Sequence, residues 1–338
     1  MFVGHGLLAF ALAAAAARRL GADRRHALAV AAVAALFATV PDVDMLYAPL
    51  GLLGGVAGPM DAAGAFWERG NVVHRELTHS LVIGALAAVG LALWHRGSST
   101  APHDTHLLSV SPPSPFLFRA AGIAILTGVV TVGLLTAGVL PAAILTVFVL
   151  AGIATTHLGA RLGLSHAETL GAAALGLLSH PFGDLLTGSP PALLYPFDVV
   201  VIADRVALAG DPTLNLLGAF ALELAAVWLG VAAYFRLRGY RCRDHVDVRA
   251  TGGLAYAGAA LALPAPTLDV SYHFVFSILA VGVVGPVGTR RVGPLGRFGR
   301  LSLRRPSLSD YHTALATGLV AVTLAAVAYT AVYLVLAA

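Results

Sequence analysis

Ten mostly apolar stretches constrain this chain more than any motif in it. They run over roughly residues 2–20, 26–40, 77–95, 116–136, 139–158, 166–180, 214–235, 250–264, 272–288 and 311–337. A helix that crosses a bilayer needs about 20 apolar residues, or fewer where one end meets a polar cavity. Only 11% of the residues are charged and 58% are hydrophobic, whereas a soluble domain carries about 25% charge. The expected fold is therefore all-α, a polytopic transmembrane bundle of about ten helices (8–10). The second, sixth and eighth stretches are short, and the second and sixth end at polar clusters, so a recessed aqueous cavity is expected there.

Charge and cysteine narrow the function classes. The sequence contains no lysine, so its 21 basic residues are all arginine, and the net charge of +4 reads as coding bias with no nucleic-acid role. The single cysteine, Cys242, excludes an intramolecular disulfide framework and a cysteine-based zinc site, and is expected to be an inert thiol. No arginine precedes the first apolar stretch, and Ala11 to Ala17 runs into Arg18-Arg19. Residues 2–20 are therefore read as a membrane helix and not as a cleaved signal peptide.

Arginine also sets the expected orientation, because short cytoplasmic loops carry the excess of positive charge. Arg18, Arg19, Arg24 and Arg25 fall in the first loop. Arg96 and Arg119, Arg161, the group from Arg236 to Arg249, and six arginines from Arg290 to Arg305 fall in loops on the same side. The opposite side holds Arg69, Arg75 and Arg205. Both termini are then expected outside the cytoplasm. Gly97 to Pro115, with His103 and His106, reads as a flexible cytoplasmic linker.

Followed through that topology, four polar clusters land on the outer face. They are His5, Pro41-Asp42-Val43-Asp44, the stretch Asn71 to Ser80 with His74, Arg75, Glu76, Thr78 and His79, and His180 through Asp184. They lie at the outer ends of helices one, two, three and six. His5, Asp42, Asp44, His74, His79, His180 and Asp184 make a nitrogen and oxygen ligand set for two or three divalent ions. Zinc is the first choice, with manganese or iron as alternatives. The competing reading of each cluster is a solvated polar group at the membrane interface.

Local spacing gives further expectations. His180 and Asp184 share a helix face at i, i+4 if a helix continues through Pro181, a residue suited to a first helical turn. In an extended turn, Asp42 and Asp44 point the same way. His74 and His79 lie about 140° apart on an ideal helix, so they need not bind one ion. Arg75, at i, i+4 from His79, can hold a substrate anion through its planar fork of donors. Thr78 and Ser80 offer supporting hydrogen bonds or caps, and Asn71 a helix cap.

Other polar positions carry weaker expectations. The proline-broken segment Gly188 to Asp211, with Tyr195 and Asp198 as candidate substrate contacts, is expected to fold back as a lid. Glu223, mid-helix in the seventh stretch, is either a buried structural group or part of a polar path. His157, His166, His273 and His312 read as helix-end residues without partners.

At these motifs the chain resembles the YdjM-like family of inner-membrane, metal-dependent hydrolases, also described as LexA-binding. The family pattern stands here as Gly4-His5, Pro41-Asp42-Val43-Asp44, His74-Arg75-Glu76-Leu77-Thr78-His79-Ser80, Ser179-His180 through Asp184-Leu185-Leu186-Thr187, and Leu194-Tyr195-Pro196. The resemblance covers about residues 1 to 200 and implies a membrane-embedded hydrolase domain over 1–210, with 211–338 as a C-terminal helical extension. Glu76 departs from it, standing where the family usually has glycine, and is a further ligand, a local acid or an exposed charge. The LexA association is not carried over, because the site is expected outside the cytoplasm.

Three functions follow as expectations. The first is a membrane hydrolase that cleaves a phosphoester in a lipid or polyprenyl phosphate with a metal-activated hydroxide, using Arg75, Thr78 and Glu76 as catalytic groups. The second is a metal-ion or proton transporter on the same ligands, with Glu223 continuing the path. The third is a non-catalytic membrane assembly protein with a structural metal. The lipid bilayer is the one partner common to all three, and the oligomeric state is left open.

Overall fold

The computed structural model describes residues 2–72, 74–98, 114–287 and 307–337, and every regular element among them is helical. The expected linker histidines His103 and His106, and the arginines from Arg290 to Arg305, lie outside the described residues. The chain divides into two units. The first comprises Met1–Val206 with Ala226–Leu237, and the second Ala207–Ala225 with Arg238–Ala338.

The first unit contains α1 (Phe2–Arg19), α2 (Arg24–Thr39), a 3-10 segment (Pro41–Gly54), α3 (Pro59–Gly70), α4 (Leu81–Ser98), α5 (Pro115–Ala137), α6 (Val139–Arg161) and α7 (His166–Asp184). Residues 226–237 belong to α8 (Pro212–Arg238). Helix starts follow local chemistry. Asp23 caps α2 by accepting from the His26 backbone N–H at 2.8 Å, Ser165 and Glu168 form a reciprocal capping box on α7, and Pro59 and Pro115 occupy first-turn positions of α3 and α5. Gly138, at φ +95°, separates α5 from α6 in a single residue.

Small residues bring these helices close. Ala27, Ala31, Ala34 and Ala38 form one buried face of α2 against α7. A Cβ on Gly176 of α7 would lie 2.6 Å from the Ala38 nitrogen and 2.7 Å from the Ala34 carbonyl, so the two backbones touch there. Gly122 of α5 meets α4 in the same way, at 2.7 Å from the Gly90 carbonyl. Phe37, Phe148, Leu91 and Leu177 fill the core between them. Away from the motif end, His26 pairs with Glu168 at 2.6 Å, and buried His95 hydrogen-bonds Thr169 at 2.7 Å.

The second unit contains the first half of α8, 3-10 segments at Cys242–His245, Val248–Gly258 and Gly282–Val284, α9 (Ala259–Ala262), α10 (Tyr272–Val281) and α11 (Leu308–Ala337). Its core is Leu216, Leu217, Phe274, Ile278, Ala325 and Tyr329. His312 is not a bare helix-end residue. It packs against the rings of Tyr240 and His245, at centroid distances of 4.7 and 5.5 Å. Burial raises the Cys242 thiol above its ordinary range, in keeping with an inert cysteine.

Among the described residues, four helices, α5, α6, α8 and α11, are long and apolar enough to cross a membrane, and α2 with the 3-10 segment after it, bent by 48°, would make a fifth. Several expected boundaries move. The stretch 250–264 contains Gly252, Gly253, Gly258 and Pro264 and forms a 3-10 segment with one α turn. The third stretch becomes helical only at Leu81. Residues 41–70, where prolines and glycines interrupt the apolar period, nevertheless form the 3-10 segment and α3.

Candidate metal centre

The helix α7 runs through Pro181, which sits in its last turn and not a first one, so His180 and Asp184 face the interior together. The α1 side chain His5 meets Asp184 from its own helix, with Nε2 at 3.3 Å from Oδ1. Its ring lies 4.0 Å from that of His180. Glycine is required beside them, since a Cβ on Gly183 would lie 2.3 Å from the His5 ring.

Residues 74–80 are not helical, so the expected relation of Arg75 to His79 on a helix face does not hold. Asn71 ends α3 and does not begin a helix. Ser80 instead caps α4, accepting from the Val82 and Ile83 backbones at 3.2 and 3.3 Å, and donates to the Tyr195 carbonyl at 2.7 Å. Arg75 adopts φ +70°, a left-handed conformation rare for a residue with a side chain and typical of functional turns. That turn aims the guanidinium at Asp184, with Nε 3.4 Å from Oδ2, at Thr187 and at the Ser189 carbonyl. Gly188 lies directly beneath it, where a Cβ would collide with Nη1.

Asp42 and Asp44 lie in the 3-10 segment and not in an extended turn. Three residues per turn place positions i and i+2 about 240° apart, so the two carboxylates diverge. Asp42 faces His180 and His79, while Asp44 faces His74, Thr78 and the Nδ1 side of His79. All seven expected ligands therefore meet, in three overlapping groups that could hold a metal ion: His5, His180 and Asp184; Asp42, His79 and His180; Asp44, His74 and His79.

The distances test whether a metal fits. His180 Nδ1 hydrogen-bonds the Ala38 carbonyl at 2.7 Å, so this nitrogen carries the proton and Nε2 presents a lone pair. His79 Nδ1 lies 3.0 Å from the Thr78 hydroxyl and 3.3 Å from Asp44, which commits its proton in the same way. Those tautomers leave a lone pair on each Nε2, and the two atoms face each other at 3.0 Å. Two lone pairs at that distance repel unless a cation or a shared proton lies between them. Around them, Asp184 Oδ2 is 3.1 Å from His79 Nε2 and 3.8 Å from His180 Nε2, and Asp42 Oδ1 is 3.9 and 3.4 Å from the same atoms. Ligands about 2.1 Å from a tetrahedral zinc stand about 3.4 Å apart. Asp42, His79 and His180, one of the three groups, come close to that spacing, and Asp184 Oδ2 lies beside both imidazoles.

The remaining expected residues separate. Thr78 is buried and bonded to Asp44. Glu76 is exposed, with its carboxyl raised by partial burial, and belongs to none of the three groups. Glu223 lies in the part of α8 that groups with the second unit, and it too belongs to none of them. Tyr195 and Asp198 line a cavity of about 460 Å³ with Thr136, Pro190 and Val201. The Tyr195 hydroxyl is bonded to Thr136, and the Ala192 N–H in the same wall donates to the Arg75 carbonyl at 3.1 Å. Sequence reasoning missed the Ala38 carbonyl and the two glycines, Gly183 and Gly188. A backbone acceptor leaves no residue signature, although the glycines flanking Asp184 do mark a place where side chains crowd.

The long apolar helices and the buried His/Asp centre define a multi-pass membrane protein whose polar cluster could hold a metal ion. The chain belongs to the YdjM inner membrane protein family, whose model matches residues 1–241. That match continues past the motifs, which end near residue 200. Comparison with curated proteins and with solved structures gives no match.

Proposed function

We propose that the chain is a membrane-bound, metal-dependent hydrolase of a phosphoester in a lipid or polyprenyl phosphate. The observation that carries this reading is the 3.0 Å approach of the His79 and His180 Nε2 atoms, each with its Nδ1 proton committed elsewhere. His79, His180, Asp42 and Asp184 would hold the ion, zinc before manganese or iron, with His5 beside Asp184. Such an ion supplies Lewis acidity and makes water nucleophilic near neutral pH. Arg75, partly exposed and fixed by Asp184 and Thr187, offers its remaining donors to phosphate oxygens. Thr78 acts through Asp44 and is a positioning residue. Tyr195 and Asp198, on the wall of the cavity tied to the Arg75 backbone, bind the rest of the substrate. Exposed Phe197, Val199, Val200 and Val201 beside that cavity suit a lipid. The site opens outside the cytoplasm, as the arginine loops imply.

The interior of α7 weighs against transport. Between Thr169 and His180 its buried face is Ala172, Ala173, Gly176 and Leu177, about 16 Å of helix with no polar side chain on that face.

The test is turnover of a lipid phosphate by purified protein in detergent. Hydrolysis should disappear with a chelator, return with zinc, and be absent in His180→Ala. Zinc flux into liposomes without hydrolysis would replace this reading with the transporter, and bound zinc with neither activity would leave a structural metal.

A further inference from the structure

Asp44 is fully buried, and its two oxygens are already taken. Oδ1 accepts from His74 Nδ1 at 2.9 Å, and Oδ2 accepts from the Thr78 hydroxyl at 2.8 Å and the Arg75 backbone N–H at 3.3 Å, with His79 Nδ1 paired with it at 3.3 Å. Three donors and the His79 ring, all from one six-residue loop, thus converge on a single carboxylate and occupy most of its lone pairs. We propose that Asp44 is no metal ligand but the anchor that orients His79, and that the centre takes one divalent ion where the motifs alone imply two or three. This inference rests on the reading of the site as a metal centre.

Three observations support it. First, the 3-10 geometry turns Asp44 away from Asp42, so only Asp42 faces the His180 side of the cluster. Second, the three possible groups share residues: His79 belongs to two of them and His180 to two. A second ion among Asp44, His74 and His79 would require His79 Nδ1 while Nε2 serves the first. That needs an imidazole stripped of both protons, and His74 Nδ1 would lose the proton that it gives to Asp44 Oδ1. Third, the Arg75 N–H that reaches Asp44 belongs to the residue at φ +70°. One carboxylate thus fixes the ring orientation of His79 and the turn that presents the Arg75 guanidinium. A carboxylate hydrogen-bonded to the far nitrogen of a ligating histidine is the usual outer partner of a metal site.

The experiment uses the full chain in detergent, stripped of metal and reloaded with zinc or with cobalt(II) as a coloured probe. The expected results are one zinc per chain and, for Asp44→Asn, still one zinc, an unchanged cobalt visible spectrum and a Kd weakened about 10- to 100-fold. Asp42→Asn should instead shift the cobalt bands. Two ions per chain, or an altered cobalt spectrum in Asp44→Asn, would overturn the inference while leaving a metal-dependent function standing. A wild-type chain that binds no metal would overturn both. If Asp44→Asn does not fold, Thr78→Val and His74→Gln each remove one donor to the same carboxylate. Both should keep one ion and the same spectrum with a smaller loss of affinity, and a changed spectrum or ion count in His74→Gln would contradict the proposal.

Discussion

At the scale of single residues, the account depends on which nitrogen or oxygen each side chain presents. His180 and Asp184 sit one turn apart on a buried face; if, as proposed, they serve one centre, His180→Ala and Asp184→Ala should each abolish bound metal and hydrolysis, and the double variant should be no worse than either. Metal analysis and turnover on the same preparations would show this; additive partial losses would mean that the two residues act separately. Arg75→Lys should keep the metal and lower kcat/KM about 100-fold, because lysine keeps the charge but loses the planar fork. Residue identity at the site was largely legible, since histidine, aspartate and arginine at the ends of apolar runs have few structural reasons to be there. Their directions were not. Whether Asp42 and Asp44 point together or apart depends on a 3-10 turn that two aspartates in sequence do not announce.

At the scale of elements, α7 is the piece that positions the chemistry. It carries both His180 and Asp184, and its Gly176 lets it approach α2, whose Ala38 carbonyl holds the His180 proton. Gly176→Ala should therefore push the helices apart, cost about 1–3 kcal/mol by overpacking, and weaken metal binding as well. Ser165→Ala, which removes the cap at the far end of the same helix, should cost about 1 kcal/mol without changing the metal. Thermal unfolding in detergent, read beside metal content, separates the two; equal loss of metal in both would mean that the centre reports only global stability. The long helices α5, α6 and α11 were readable from apolar length alone. The elements between Pro41 and Gly70 were not, because proline and glycine there break the period that marks a helix, and the loop from His74 to Ser80 was misread because Arg75 and His79 happen to sit at the helical spacing i, i+4.

For the whole molecule, the proposed orientation in the membrane rests on where arginine lies. Single cysteines at Met60 and Pro190 in a Cys242→Ser background should react with an impermeant thiol reagent on intact cells, and one at Ser99 should not. The reverse pattern would put the site on the cytoplasmic side and bring an internal substrate into play. Family membership spans residues 1–241, and every residue of the proposed centre falls inside it. The central claim is that His79, His180, Asp42 and Asp184 close around a metal. The most direct measurement is an anomalous difference map at the zinc edge from crystals of the full chain. The account predicts a peak within about 2.0–2.2 Å of His79 Nε2, His180 Nε2 and one oxygen each of Asp42 and Asp184. A map with no peak there, or with its peak between Asp44 and His74, would contradict it.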